Sequence, residues 1–387
     1  MGDAVKEGSD VTVRPFFGRS RSVTNKQYNG GLTGCLDGPV KADRLYGVVR
    51  MAKTSCVDKA EGESVDGEGL LDSITCGAWN RAYDGAVVRQ EGIEERLIAR
   101  IEEFRNAHPV AEGDALRIPE PKFKYYGREI WELAITAILS GENLLLVGPK
   151  ATGKNVLAEN LSAVFGRPEW DISFYLNTDA ASLIGTDTFK NGEVSFRKGP
   201  IYACAEAGGF GVLDEINMAK NESLAVLHAT LDFRRIIDVP GYSRIRLAPA
   251  ARFIATMNYG YAGTRELNEA LASRFMVINM PVISGADLEK LLLQQHPALK
   301  AEYASQLTAL FGEIRRKCES SEISTKALDL RGLLAAVNLV ENGLPMHEAL
   351  SIAIVNKSFD EFERTLVEDI VSARIDGKLR KQDIFTA

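Results

Sequence analysis

The stretch that decides the fold is "NLLLVGPKATGKN", Asn143 to Asn155. Its first half is a continuous apolar run, which is typical of a parallel strand buried on both faces. Its second half nearly matches the pattern G-x-x-x-x-G-K-[ST], a glycine-rich loop that opens a helix. A helix is predicted over "KNVLAENLSAVFG", closing at Gly166. A strand, a glycine-rich loop and a helix in this order predict a phosphate-binding loop.

The backbone of this loop is expected to do most of the binding. N–H groups of the loop and of the first helical turn point at the anion, and the helix dipole favours negative charge. Gly148 and Gly153 permit close approach and unusual φ values, and Lys154 is expected to reach the β- and γ-phosphates. We predict that the nucleotide contacts Gly148, Pro149, Lys150, Ala151, Thr152, Gly153, Lys154, Asn155 and Val156.

Asn155 is the one departure from the loop pattern. The pattern has Ser or Thr at this position, where a hydroxyl helps to hold Mg²⁺. An amide oxygen is an uncharged, hard donor that can also ligate a divalent cation. Because Asn is longer than Ser or Thr, we expect a working site with weakened affinity for Mg²⁺.

Polar residues follow two further predicted strands. In "GGFGVLDEINMA" an apolar strand ends in Asp214 and Glu215. Acids at this place meet the metal beside the loop, so Asp214 is expected to hold Mg²⁺ through water and Glu215 to polarise the attacking water. A strand-end acid pair that caps the next helix is the alternative. In "ARFIATMNYG" a strand ends in Asn258, which is expected to sense the γ-phosphate and orient water.

Three arginines complete the candidate catalytic set. Arg265 and Arg274 lie in "GTRELNEALASRF", and an arginine supplied by a neighbouring subunit stabilises transition-state charge. An exposed arginine in a surface ion pair is the alternative. Arg331 lies near the start of the predicted helix in "DLRGLLAAVNLVENGLP", from which it is expected to fold over the γ-phosphate.

The order of these motifs resembles that of the AAA+ ATPases, and within them the MoxR family, near the CbbQ and NorQ activators and the dynein-related AAA domains. The likeness covers roughly residues 123 to 375. It is carried by "GPKATGKN", "DAASLIGTDTFKNGEVSFRKGPIYAC", "VLDEINMA", "ATMNYGYAGTRELNEALASRF" and the Arg331 helix ending in "ENGLP".

The resemblance implies an α/β fold: a P-loop AAA+ parallel-sheet domain followed by a small all-helical lid domain. It implies ATP and Mg²⁺ as cofactors, and hydrolysis of ATP to ADP and phosphate. It also implies a homo-oligomeric, hexameric ring in which Arg274 acts on the neighbouring site, with Arg265 assisting. The implied role is a chaperone that remodels or activates a target protein, which carries a von Willebrand factor A domain in many systems.

Three regions are expected along the chain. Residues 1–115 form an N-terminal region of unknown role, partly β or disordered, that ends in an amphipathic helix within Gly92 to His108. Residues 116–281 form the nucleotide-binding domain. Residues 282–387 form the helical lid, because from about Pro281 the chain alternates apolar and charged faces at helical spacing.

Two hairpins are predicted inside the nucleotide-binding domain. Thr188 to Pro200 reads as a hairpin with Asn191-Gly192 at its turn. Arg234 to Phe253 reads as a second, turning near Pro240-Gly241 just before the strand of Asn258. The resemblance implies that both face partners or the centre of a ring; the alternative is that they cover the sheet edge.

Composition narrows the functional class. The net charge of −7 argues against a general nucleic-acid binder, which usually carries a basic surplus. No apolar run approaches the roughly 18 residues of a membrane span. The first ten residues lack an apolar signal core, and the five cysteines include no C-x-x-C pair, so we expect a cytoplasmic protein.

Two alternative functions remain open on the sequence. One is a non-catalytic nucleotide switch, in which Asn155 weakens the metal site and binding alone drives assembly. The other, less favoured by the acidic balance, is a motor associated with nucleic acid. Stimulation of turnover by DNA or RNA, with strong salt dependence, would identify the motor.

Overall fold

The computed structural model describes residues 86–190, 192–239, 241–242, 244–259 and 266–386. The predictions made for residues 1–85, for Arg265 and for the turn residues Asn191 and Pro240 lie outside these ranges. The strands are β1 Leu144–Val147, β2 Glu169–Ser173, β3 Gly185–Lys190, β4 Glu193–Lys198, β5 Phe210–Asp214, β6 Ile236–Ile237, β7 Ile245–Arg246, β8 Arg252–Met257 and β9 Met276–Asn279.

Helices surround and follow these strands. They are α1 Ala86–Gln90, α2 Glu95–Ala107, α3 Arg128–Leu139, α4 Lys154–Val164, α5 Ala180–Ile184, α6 Pro200–Ala207, α7 Asn221–Leu224, α8 His228–Leu231, α9 Glu269–Ala272, α10 Gly285–Gln295, α11 Ala301–Glu319, α12 Leu330–Glu341, α13 Met346–Ala353, α14 Glu361–Arg374 and α15 Lys381–Ile384. Short 3-10 turns cover Glu112–Arg117, Ile216–Met218, Ala225–Leu227 and Val355–Lys357.

A parallel sheet forms the centre of the α/β part, with strand order β2-β5-β8-β1-β9 in the described chain. All four residues of β1 are buried, as its continuous apolar run predicts. Val147 pairs with Met257 of β8 on one side and with Asn279 of β9 on the other. Because the strands are parallel, their carboxyl ends all lie along one side of the sheet, which we call the carboxyl edge. Their amino ends lie along the opposite side, the amino edge.

Helices cover both faces of this sheet. One face packs against α2, α3 and α4, and the other against α6 and the turns around α7 and α8. The predicted amphipathic helix is confirmed as α2, whose Leu97, Ile98 and Ile101 are buried in the same core as β1. The domain boundaries at residues 115 and 281 remain predictions.

The C-terminal region is helical, as predicted, and has its own core. Helices α10 to α14 bury a cluster that includes Leu292, Leu307, Val337 and Val371. The fold class expected from the sequence, a parallel-sheet α/β domain followed by a helical region, is therefore confirmed.

Both hairpins are present and contact each other. Strand β3 pairs antiparallel with β4, and β6 pairs antiparallel with β7. The Tyr242 hydroxyl donates to Oδ1 of Asp187 at 2.6 Å, and the rings of Tyr242 and Phe196 lie 4.9 Å apart. The second hairpin therefore packs on the first.

Among the residues with a described structure, no helix has both the length and the apolar character needed to cross a bilayer.

Candidate nucleotide-binding site

The glycine-rich loop joins the carboxyl end of β1 to α4 in a strained, tight path. Gly153 has φ 76° and Ala151 has φ 65°, a left-handed value that L side chains seldom adopt. A Cβ added to Gly148 would lie 2.8 Å from the carbonyl oxygen of Met280. The sequence therefore places glycine where close approach or backbone conformation requires it.

Lys154 is turned inward and held by the loop itself. Its ammonium donates to the carbonyl oxygens of Gly148 (3.0 Å) and Pro149 (2.8 Å) and to the Thr152 hydroxyl (3.1 Å). Burial lowers the pKa of Lys154 to about 8, although the charges of Asp214 and Glu215 act in the opposite direction. The neutral loop oxygens thus accept the hydrogen bonds of the ammonium group but do not neutralise its positive charge.

These features fit a phosphate group. Gly153 precedes α4, and no side chain caps its first turn, so its leading N–H groups face outward as they do in anion sites. A bound phosphate would give Lys154 the counter-charge that the loop carbonyls lack. The loop is therefore suited to hold the phosphates of a nucleotide.

The acid pair lies at the carboxyl edge on β5, one strand beyond β8. Oδ1 of Asp214 accepts a hydrogen bond from the Thr256 hydroxyl at 2.7 Å. The same hydroxyl oxygen accepts from the backbone N–H of Glu215 at 3.1 Å. Asp214 is half-buried and Glu215 is exposed. One buried side chain of β8 thus contacts both predicted acidic residues.

Asn258 follows β8 directly and contacts the predicted catalytic acid. Its Nδ2 donates to Oε1 of Glu215 at 3.0 Å. Its backbone carbonyl accepts from Nδ2 of Asn217, also at 3.0 Å. Because β8 lies between β5 and β1, Asn258 stands between the acid pair and the start of the loop. The water-orienting role of Asn258 itself stays a prediction.

The metal donors predicted from the sequence suit a Mg²⁺ ion bound with its nucleotide. Asp214 is close enough to the loop to influence the pKa of Lys154, and Asn155 is the half-buried second residue of α4. No group of three or more His, Cys, Asp or Glu in the described ranges could hold a metal alone. Mg²⁺ typically takes one or two protein ligands and completes its shell with phosphates and water.

The helical region approaches the loop near the start of α12. Ala151 packs against the core of that region. Burial tends to raise the pKa of Asp329, which precedes α12, but hydrogen bonds from Lys357 and the Gly332 N–H and the charge of Lys150 outweigh it, so the pKa is lowered. Arg331 is exposed at the start of this helix. The structure therefore brings the Arg331 turn near Lys150 of the loop.

Arg274 lies at the opposite edge of the sheet from the loop of its own chain. It comes two residues before β9, which runs parallel to β1, so it belongs to the amino edge. Its Nε donates to the carbonyl oxygen of His228 at 3.1 Å, and its guanidinium lies 3.9 Å from the Asp232 carboxylate. The fold therefore separates Arg274 from Lys154, Glu215 and Asn258, which it brings together.

Sequence reasoning missed two residues of this site, Thr256 and Asn217. Thr256 is a polar residue inside the apolar strand "RFIATM" and lies two positions before Asn258. Alternate residues of a strand share a face, so this spacing could have placed Thr256 beside the acid pair. Asn217 carried no comparable signal, because its partner is a backbone carbonyl 41 residues away.

Comparison with known proteins agrees with this geometry. The family model for the AAA domain (dynein-related subfamily) matches residues 143–275, from the residue before β1 to the residue after Arg274. An uncharacterized protein of Bacillus subtilis (strain 168), YojN, is 34% identical over 242 residues, which are 61% of this chain and 79% of the relative.

Two staphylococcal relatives are similar to the same degree. SH1500 of Staphylococcus haemolyticus and SAB1265c of Staphylococcus aureus, both uncharacterized, are each 34% identical over 236 residues. These cover 59% of this chain and 89% of each relative. The chain therefore belongs to the AAA domain family, dynein-related subfamily, whose members are generally nucleotide-binding ATPases.

Proposed function

We propose that this protein is a cytoplasmic AAA+ ATPase of the MoxR type, which assembles into a ring and hydrolyses ATP to remodel or activate a partner protein. The observation that carries the proposal is the hydrogen bond between Asn258 and Glu215 at the sheet edge that bears the phosphate-binding loop. A carboxylate held by an amide beside a phosphate site is suited to orient and activate water.

Each residue of the site has a distinct task in this proposal. The loop N–H groups and Lys154 hold the β- and γ-phosphates. Asp214, through water, and Asn155 would hold Mg²⁺, which when bound would neutralise charge on the phosphate oxygens. Glu215 accepts a proton from the attacking water, and Asn258 fixes the position of the Glu215 carboxylate. Most of the rate gain would come from positioning and preorganised charge.

A second copy of the chain supplies the missing positive charge. Arg274 lies on the amino edge, away from its own loop, so it would act on a neighbour's site. Contacts in which one face meets a different face of the next copy generate a ring when the rotation between copies closes. The hexameric ring size follows the MoxR resemblance, as does the role of Arg331, which couples the γ-phosphate to the helical region. Arg265 would assist Arg274.

The paired hairpins are the proposed contact with the partner protein. Phe189 near the end of β3 is 76% exposed, and its cross-strand neighbour Val194 is also exposed. Exposed apolar side chains on a projecting hairpin suit a protein partner better than nucleic acid. By the MoxR resemblance, that partner would carry a von Willebrand factor A domain.

The test is ATP hydrolysis by the purified chain over a range of protein concentrations. Specific activity should rise with concentration, because each complete site needs two copies, and Glu215→Gln should abolish turnover while leaving ATP binding intact. Hydrolysis by Glu215→Gln at the wild-type rate would refute the proposed mechanism. ATP-dependent assembly without turnover would identify the nucleotide switch, and strong stimulation by DNA or RNA would identify the motor.

A further inference from the structure

Thr256 makes two hydrogen bonds with a single hydroxyl group. The hydroxyl donates to Oδ1 of Asp214 (2.7 Å) and accepts from the Glu215 N–H (3.1 Å). A hydroxyl carries one donor hydrogen and two acceptor lone pairs, so both bonds form together without competition. Thr256 is 1% exposed, so water does not replace either partner.

The second bond matters because Glu215 has an unusual backbone conformation. Its φ of 54° and ψ of 46° lie in the left-handed region, which is costly for a residue with a side chain. Such conformations persist when the surroundings over-determine them, and they are frequent at functional sites. Three contacts hold Glu215: its N–H bonds to Thr256, its carbonyl accepts from the Met218 N–H at 2.8 Å, and its carboxylate accepts from Asn258.

We propose that Thr256 is a positioning residue for ATP hydrolysis, setting the two acids of the site relative to each other. By donating to one carboxylate oxygen of Asp214 it orients that group toward the metal side. By accepting from the Glu215 N–H it holds the turn that aims the second carboxylate at Asn258. Thr256 would act through these two acids and not on the nucleotide or the metal itself. This inference rests on the proposed hydrolysis.

The test compares Thr256→Val, which keeps the shape and loses the hydroxyl, with Thr256→Ser, which keeps the hydroxyl. Removing hydrogen bonds to a charged group should lower kcat of Thr256→Val by about 10- to 100-fold. The KM for ATP should change by less than about threefold, because phosphate binding is left intact. Thr256→Ser should retain kcat within about threefold of wild type.

A second readout does not depend on turnover. Hydrogen exchange of the Glu215 amide should accelerate in Thr256→Val and not in Thr256→Ser, while exchange along β1 and β9 stays unchanged. If Thr256→Val does not fold, Thr256→Cys replaces it. A thiol is a weak donor and acceptor, so kcat should fall below that of Thr256→Ser, and equal rates would overturn the inference.

The outcomes separate this inference from the proposed function. Wild-type turnover in Thr256→Val, with Glu215→Gln inactive, would overturn the inference and leave the ATPase assignment standing. A parallel loss of kcat and ATP affinity, with faster exchange throughout β5 and β8, would reduce Thr256 to a structural role and also overturn it. Absence of turnover in the wild-type protein would refute the proposed ATPase. Independently of turnover, an unchanged exchange rate of the Glu215 amide in Thr256→Val would refute the positioning contact.

Discussion

Nδ2 of Asn258 donates a hydrogen bond to Oε1 of Glu215 at 3.0 Å, joining residues 43 positions apart in the chain. The contact exists because β5 and β8 are adjacent parallel strands that end at the same edge of the sheet. It links the predicted sensor to the predicted catalytic acid.

Loss of this contact should slow hydrolysis more than it weakens binding. Asn258→Ala leaves the Glu215 carboxylate unheld, so kcat should fall about 10- to 100-fold with ATP affinity nearly unchanged. Asn258→Asp should be at least as damaging, because it places two carboxylates together. Steady-state kinetics measure kcat, and titration with ATP measures the affinity. Asn221→Ala, an exposed asparagine of α7, is the control; equal kcat in Asn258→Ala and this control would contradict the role.

Arg274 should act on a neighbouring site. Arg274→Ala and Glu215→Gln should each be nearly inactive alone, but an equimolar mixture should regain about a quarter of wild-type activity, because random assembly places the two intact halves together at one junction in four. Coupled-enzyme assays of the mixtures measure this.

Arg234→Ala controls for the shared ion pair. Asp232 pairs with both Arg234 and Arg274. The Arg234→Ala variant therefore removes one cation from that carboxylate and leaves Arg274 in place. It should keep most of the activity. A mixture no more active than the mean of its two components would show that Arg274 does not complete a neighbour's site.

Asn155 should set the requirement for Mg²⁺. Asn155→Thr restores the hydroxyl of the loop pattern and should lower the Mg²⁺ concentration for half-maximal turnover by several-fold, whereas Asn155→Ala should raise it. Mg²⁺ titrations at saturating ATP measure the shift. Identical midpoints in all three proteins would place Asn155 outside the metal's coordination shell.

Gly332 should be irreplaceable at its position in α12. An added Cβ would lie 2.4 Å from the carbonyl oxygen of Ala353, so Gly332→Ala should force α12 and α13 apart and lower the free energy of unfolding by about 1–3 kcal/mol. Thermal and denaturant unfolding measure the loss.

Gly312→Ala is the matched control in the same region. Gly312 lies within α11, and nothing is within 4 Å of the Cβ it would gain. The substitution should stabilise the helix by about 0.5–1 kcal/mol. A stabilising effect of Gly332→Ala would contradict the close packing of α12 on α13.

Glu169 should make stability fall as pH rises. Burial raises its pKa to about 7, a hydrogen bond from Ser162 opposes this, and the charges of Asp171 and Glu159 add to it. The folded state therefore binds more protons than the unfolded chain between pH 4.5 and 7. The contribution of Glu169 protonation to the free energy of unfolding is complete below pH 4.5 and is lost as pH rises through 7.

Glu169→Gln should remove this pH dependence. At pH 8 it should be more stable than wild type by about 2 kcal/mol, and near pH 4 the difference should vanish. Urea unfolding at several pH values measures the curve, with the exposed Glu193→Gln as control. A wild-type curve with the same slope as that of Glu169→Gln would contradict the raised pKa.

Much of the architecture was predictable because its signals are local. The apolar run of β1, the glycine-rich loop and the periodic helices α2, α4 and α12 were all expected from short windows of sequence and are present. The acid pair and Asn258 were predicted at strand ends, where the fold places them. The two hairpins were also expected, although Asn191 and Pro240 at their turns are outside the described residues.

The sequence by itself determined which residues form the glycine-rich loop and which ones end the strands, since glycine geometry, helix starts and strand periodicity act over a few residues. The tertiary structure alone decided which of them meet. The strand order β5-β8-β1 puts Thr256 in contact with Asp214 and Glu215 and puts Asn258 beside Glu215. The direction of β9 carries Arg274 to the far edge. These are contacts between residues distant in the chain, and they form only when the packed sheet fixes which strands are neighbours.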